Sequence, residues 1–371
     1  MAMRILYFSK ASEIGPSSRY RIYQYLPLLA DAGGFVSIKP LFGPWYYRLL
    51  SRRPLWLRTL LKSLYVPIRF LRRLWDLRTV READLIVTEG QLFPYLGLGI
   101  ERFLAKRRPF VVELDDAIYL TKGQETKIPV LLRLSTGVIV GNQVLAQYAR
   151  TYNPNVSVVP TVVDTNRFKP GNMWQSQGPT SDRPITIVWM GLDYNLPYVR
   201  ALSSVFRRLQ ASHRVRVRVI CATAPSFEGV EVEFRRWRYD QEVEELQEAD
   251  IGIMPLPDTE WAKGKCGLKL LQYMAVGLPA VASPVGVNQE IVRDGENGFL
   301  AAADEEWYAK LSTLCQDTDL RSRIGRRARQ TVLDHYSLAV WAPKLAACYR
   351  DIAANQPPLA QNAAIAGVIR P

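Results

Sequence analysis

Short apolar runs rich in valine and isoleucine recur through the first half of the chain. They fall at Arg4–Phe8, Phe35–Lys39, Asp84–Val87, Phe110–Leu114, Gly137–Val140 and Val156–Val159. Most are apolar nearly throughout, as parallel strands covered on both faces require, and stretches of helical periodicity separate them. The pattern predicts an open, doubly wound α/β sheet. Residues 169–184 (KPGNMWQSQGPTSDRP) break the rhythm and read as a linker. A second alternation follows, with strands predicted at Ile185–Met190, Val215–Ile220, Val230–Phe234, Ile251–Met254 and Ala280–Ala282. Helices are predicted near 195–211, 240–248 and 267–276, and Asp304–Arg350 reads as a closing helical segment. The expected organisation is an N-terminal domain over 1–168, a C-terminal domain over 185–335, a closing helix at 336–352 that packs back on the first domain, and a flexible tail at 353–371. Two such sheets and a joint imply a ligand cleft at the carboxyl ends of the strands.

Composition narrows this. At 371 residues, 48% of them apolar, the chain is long enough for two full cores and is not disordered as a whole. It has no uncharged apolar run long enough for a transmembrane helix, and Ile5–Phe8 is too short for a signal-peptide core. Cys221, Cys266, Cys315 and Cys348 are far apart and form no CxxC pair; with His213 and His335 the only histidines, neither a structural zinc nor any other metal site is expected. A reduced, cytosolic protein fits this cysteine usage.

The net charge of +13 calls for an anionic partner, and it is mostly local. Residues 44–81 hold ten Lys or Arg and one acid, Asp76, which is +9 of the +13. Seven aromatics share the segment, and its leucines and aromatics recur every three to four residues. One or two amphipathic helices are predicted, with breaks at Pro54 and Pro67. Basic and aromatic helices of this kind lie on anionic membranes, so Arg52, Arg53, Trp56, Arg58, Lys62, Arg69, Arg72, Arg73 and Trp75 are the expected membrane face. The alternative is a helix packed on the sheet with a solvated basic rim. Nucleic acid ranks last, because no recognition motif accompanies the charge.

The sharpest chemical signal is Trp261–Asn288, WAKGKCGLKLLQYMAVGLPAVASPVGVN. A Gly-Lys-Cys-Gly turn opens a helix, and the amides of Cys266, Gly267 and Leu268 at such an N-terminus suit a phosphate. Gly264 and Gly267 allow close approach to the backbone. Lys265 and Lys269, four apart, are about one turn from each other and can converge on the same anion. Gln272, one turn further, is placed for a ribose or base edge.

Residues 264–283 resemble the donor-site motif of the family 4 (group 1) retaining glycosyltransferases, with Met274-Ala275-Val276-Gly277-Leu278-Pro279-Ala280-Val281-Ala282-Ser283 nearly matching its second part. Gly286-Val287-Asn288, Glu290-Ile291-Val292, Asp294-Gly295 and Asn297-Gly298-Phe299-Leu300 follow in order, and Val159–Asp164 with Arg167, Phe168 and Pro170 precede. The resemblance spans roughly residues 4 to 350 and implies the GT-B fold, two facing doubly wound parallel-sheet domains with a cleft between them. It further implies a nucleotide-sugar donor as co-substrate, retention of configuration, and neither a cofactor nor an obligatory metal. Two departures stand out. Gly264 and Gln272 occupy the two motif glutamate positions, and after Met190 the chain reads Gly191-Leu192-Asp193-Tyr194-Asn195, without the family's diphosphate-binding Arg and Lys. Both fit a subgroup with a GKCGxKLLQYMA motif, in which Lys265 and Lys269 take over the diphosphate.

The remaining candidates follow the family's layout. Trp237, in Arg235–Tyr239, sits where the nucleobase is contacted; Gly15 and Arg19, in the loop after the first strand, face the diphosphate. Asp115 and Asp116 emerge after Phe110–Leu114 to orient or deprotonate the acceptor hydroxyl, with Glu89 a weaker candidate of the same kind. The ordinary structural readings are capping of the first helix by serine, helix capping by the aspartates and an exposed basic loop around Trp237. The expected activity is hexosyl transfer to a lipid-linked or polysaccharide acceptor at the inner face of the membrane. A GT-B sugar-nucleotide epimerase and a non-catalytic GT-B scaffold are the alternatives.

Overall fold

The structure, a computed structural model, describes residues 3–50, 54–94, 96–171 and 183–354. The chain forms two compact units: residues up to Pro160 together with those from Trp341 onward, and Thr161–Val340. Each unit is built on one six-stranded sheet.

In the first unit the strands are β1 (Met3–Phe8), β2 (Gly34–Ile38), β3 (Leu85–Glu89), β4 (Phe110–Leu114), β5 (Gly137–Val140) and β6 (Val156–Val158), in the order β2-β1-β3-β4-β5-β6. In the second they are β7 (Ile185–Met190), β8 (Val215–Cys221), β9 (Val232–Arg236), β10 (Ile251–Met254), β11 (Ala280–Ala282) and β12 (Phe299–Leu300), in the order β12-β11-β10-β7-β8-β9. Every pairing is parallel. Strand order reverses beside the first strand of each sheet, between β1 and β3 and between β7 and β10. Such switch points are where open α/β sheets bind ligands. β3, β4, β5, β10 and β11 are buried along their whole length, and β5, β10 and β11 accordingly read as unbroken apolar runs, whereas β3 and β4 each bury a glutamate near their carboxyl ends.

Several elements differ from expectation. β12 has only two residues, too few to carry a period. The helix expected near 195–211 is two, Leu196–Arg200 and Ser203–Ser212. The closing segment is three helices, Asp304–Gln316, Thr318–His335 and Leu338–Ala354. Asp317 starts the second by accepting the Leu320 N–H at 2.8 Å. Thr161–Phe168, read from the sequence as the end of the first domain, lies in the second unit. Arg329 holds it there by donating to the carbonyls of Phe168 and Thr165 at 2.5 and 3.0 Å. Linker residues 172–182 and tail residues 355–371 lie outside the described residues.

The basic segment forms helices Pro44–Leu50 and Leu55–Asp76 and a 3-10 turn at Leu77–Glu82. Pro54 marks a break as expected, but Pro67 lies inside the long helix. The carbonyl that loses its partner there is that of Ser63, and both residues are exposed, so water can satisfy it. Among the described residues no helix is long and apolar enough to cross a membrane.

Candidate functional site

Each sheet carries one candidate site at its switch point. In the first unit, the loop after β1 leads into the short helix Pro16–Arg21, whose N-cap is Gly15 in extended backbone. No side chain caps this helix, so Ser17 and Ser18 do not serve as the expected caps. Ser18 is instead buried, donating to Glu89 Oε2 at 2.5 Å and accepting the Ala11 N–H at 3.0 Å. Glu89 Oε2 also accepts the Lys10 N–H at 3.0 Å, so one carboxylate oxygen gathers both ends of the loop. Arg19 is buried against the same loop; its Nε and Nη2 donate to the Glu13 and Ile14 carbonyls at 2.8 and 2.9 Å.

Glu113, the acid just before Asp115 and Asp116, points inward from β4, where it forms a buried ion pair with Arg21 at 2.6 Å and accepts a short hydrogen bond from Tyr7. Asp115 and Asp116 alone carry charge past the strand end, both half-buried. Burial is the largest influence on Glu89, followed by the neighbouring Asp115; together they outweigh the hydrogen bonds from Ser18 and Lys10 and raise its pKa to about 7. Burial also raises Glu113, against the pull of Arg21.

In the second unit the donor motif is folded more tightly than its sequence suggests. The helix runs Leu268–Ala275, with Gly267 as its N-cap at φ 70°, a left-handed conformation suited to glycine. A Cβ there would also lie 2.6 Å from Ile291 Cδ1. Lys265 and Cys266 precede the helix, so the four-residue spacing of Lys265 and Lys269 is not a helical turn. Nor is the helix amphipathic with one solvated face, since Leu270 to Ala275 are all buried, Gln272 at 3% exposure among them. Tyr273, in its middle, accepts the Met190 N–H at 2.9 Å and so pins the helix to the end of β7. Gly264 ends the Glu260–Lys263 turn and is buried.

Lys269 and Gly191 are brought together. A Cβ on Gly191 would lie 2.7 Å from Lys269 Cε and 2.6 Å from the Trp189 ring, so only glycine lets the lysine cross the strand end. The ammonium group lies 5.4 Å from the Trp189 ring centroid, while that of Lys265 lies 5.6 Å from the Trp261 ring. Asp193 bridges to the loop after β8, accepting the Ala222 N–H at 2.9 Å and the Thr223 hydroxyl. Trp237 is half-buried and donates from Nε1 to Glu242 at 2.9 Å, and Arg167 pairs with the same carboxylate at 2.7 Å. Trp189, Tyr273, Arg21 and the inward role of Glu113 went unrecognised in the sequence. A tyrosine inside the predicted helix was the one available signal, because a buried hydroxyl needs a partner.

On the Leu55–Asp76 helix, the expected membrane face divides. Trp56, Leu60, Leu64, Ile68, Leu71 and Trp75 are 50–67% exposed and recur at three- and four-residue steps, so the apolar stripe faces out. Arg72 is exposed beside it, and Arg58 and Lys62 are half-buried. Arg73 is buried, against expectation, and Arg69 also turns inward, donating to the Leu41 and Pro40 carbonyls at 2.6 and 2.7 Å. Arg52 and Arg53 lie outside the described residues.

Comparison with known proteins bears on this arrangement. Residues 184–317 match the model of the family described as glycosyl transferases group 1. The chain is similar to group 1 glycosyl transferases. It is 25% identical over 248 residues to alpha-maltose-1-phosphate synthase of Mycolicibacterium smegmatis, covering 57% of this chain and 61% of that one. It is 26% identical over 242 residues to D-inositol 3-phosphate glycosyltransferase of Stackebrandtia nassauensis, covering 59% and 53%. The matched region thus spans little more than half the length of these relatives. Sucrose-phosphate synthase from Thermosynechococcus elongatus superimposes with a TM-score of 0.67 at 15% identity, over 95% of this chain and 99% of that one. Anabaena HepE, solved in complex with UDP-glucose, gives 0.66 at 18% identity, over 94% and 100%. These likenesses establish the GT-B fold.

Proposed function

We propose that the protein is a retaining, metal-independent group 1 glycosyltransferase that moves a hexosyl group from a nucleotide-sugar to a lipid-linked or polysaccharide acceptor at the inner, cytosolic face of a membrane. The observation that carries this reading is the passage of Lys269 over Gly191. The family places its diphosphate-binding bases after the strand equivalent to β7, and this chain has none there. A lysine from the Leu268–Ala275 helix reaches that same strand end instead.

In this reading Lys269 and Lys265 meet the charge that grows on the departing diphosphate, where a preset cation lowers the barrier without reorganisation. The backbone at Cys266, Gly267 and Leu268 offers N–H groups to the same anion. Gly15 and Arg19 belong to the donor side through their loop, and Trp237 offers a ring edge for the base. Asp115 and Asp116 receive the acceptor hydroxyl, one of them accepting its proton as the glycosidic bond forms. The Leu55–Asp76 helix rests its apolar stripe in the interfacial layer of the membrane, with Arg58, Lys62 and Arg72 at the lipid phosphates.

Sugar release from UDP-, GDP- and ADP-hexoses tests the enzyme reading: turnover of one series is expected, and the absence of both turnover and binding in all three overturns it. Flotation with anionic vesicles at low salt tests the membrane reading; protein that stays at the bottom of the gradient refutes it.

A further inference from the structure

Arg73 stands apart from the other bases of its helix. It is 2% exposed, lies 5.1 Å from the Phe8 ring centroid, and donates from Nη2 to the Ser9 carbonyl at 2.7 Å. Burial lowers its pKa to about 9, with Asp76 the main opposing charge, so it stays cationic at neutral pH. Ser9 opens the loop that runs to Gly15 and the Pro16–Arg21 helix, and its neighbour Lys10 is fixed by Glu89. The Ser9 carbonyl also accepts the Leu41 N–H at 2.9 Å, and Leu41 in turn receives Arg69. Helix, loop and the chain at Pro40–Phe42 are therefore joined by hydrogen bonds through buried or half-buried groups, all within the first unit.

We propose that Arg73 is a positioning residue that couples the Leu55–Asp76 helix to the Ser9–Gly15 loop, so that lipid seated on the outer face of the helix orders the loop. The proposal rests on the membrane reading given above. The helix has one face open to solvent and the other tied down by arginines. Lipid that restrains the open face lowers the freedom of the helix, and the Arg73–Ser9 bond passes that restraint to the loop. Binding energy would then favour an ordered donor loop only where the helix rests on a lipid surface.

Amide hydrogen exchange, read on peptides covering residues 9–18, tests this with equimolar phosphatidylglycerol–phosphatidylcholine vesicles as the probe. In the wild type, vesicles are expected to slow loop exchange about fivefold or more, while peptides from β10 and β11 are unchanged. Arg73→Lys should keep the response, because an ammonium can donate to the same carbonyl, and Arg73→Met should lose it while still floating with vesicles. If the wild type floats and its loop exchange does not change, the coupling is refuted, whatever becomes of the variants. It is equally refuted if Arg73→Met responds like the wild type. Failure of the wild type to float overturns the membrane reading and this inference together, and flotation itself tells that outcome from the other two.

Discussion

Arg21 and Glu113 form an ion pair 2.6 Å apart in the first unit, with side chains only 2% and 1% exposed. Arg21 Nη1 also donates to the Val159 carbonyl at 2.8 Å, so the pair joins the first helix to β4 and to the chain leaving β6. A buried pair costs a good deal to desolvate, and breaking it leaves one charge with neither water nor partner. Arg21→Met should therefore destabilise the first unit by about 3–5 kcal/mol. Adding Glu113→Gln should restore part of that loss, which a double-mutant cycle by urea unfolding can measure.

Glu89 makes stability fall with pH. Its folded pKa of about 7 is raised from 4.5, so the carboxyl is preferentially protonated in the folded state. The resulting stabilisation is complete below about pH 4.5 and is lost as pH rises through 7. Unfolding free energy of the wild type should drop relative to Glu89→Gln between pH 5 and 8, by at most about 3 kcal/mol. Parallel pH profiles for the two proteins would show that the carboxyl does not carry this shift.

Gly191→Ala should act on both fold and ligand. The added carbon meets the Trp189 ring, itself only 2% exposed, and the Lys269 stem. Lysine can move and a buried indole cannot, so overpacking of about 1–3 kcal/mol is expected, with Lys269 displaced from the strand end. Thermal unfolding and nucleotide titration should both respond, and a variant that melts and binds like wild type contradicts the geometry.

Leu64→Glu together with Leu71→Glu places acids in the outward stripe, at positions 59% and 66% exposed. Folding should be unaffected, because neither side chain is packed in the core, and vesicle flotation should be lost. Flotation that survives would place the lipid contact elsewhere.

The alternation of apolar runs made both sheets legible, because strands such as β5 and β10, covered on both faces, are apolar at every position. Orientation was not legible. A period of three to four shows that the Leu55–Asp76 helix has two faces, but the exposed Trp56 and the buried Arg73 invert which one a soluble helix turns inward. Likewise the spacing of Lys265 and Lys269 looked like a helical turn, whereas the left-handed Gly267 starts the helix between them. Glu113 and Arg21 are 92 positions apart, and no local pattern pairs residues at that separation.

Whether Lys269 serves the donor diphosphate is best read by calorimetric titration of UDP, GDP and ADP into the wild type and Lys269→Ala. The wild type should bind one of the three, and the variant should bind it at least about tenfold more weakly, since a charge-assisted contact to phosphate is worth about 1.5–3 kcal/mol. Equal affinity in both proteins, or no binding of any of the three by the wild type, would contradict the proposed donor site.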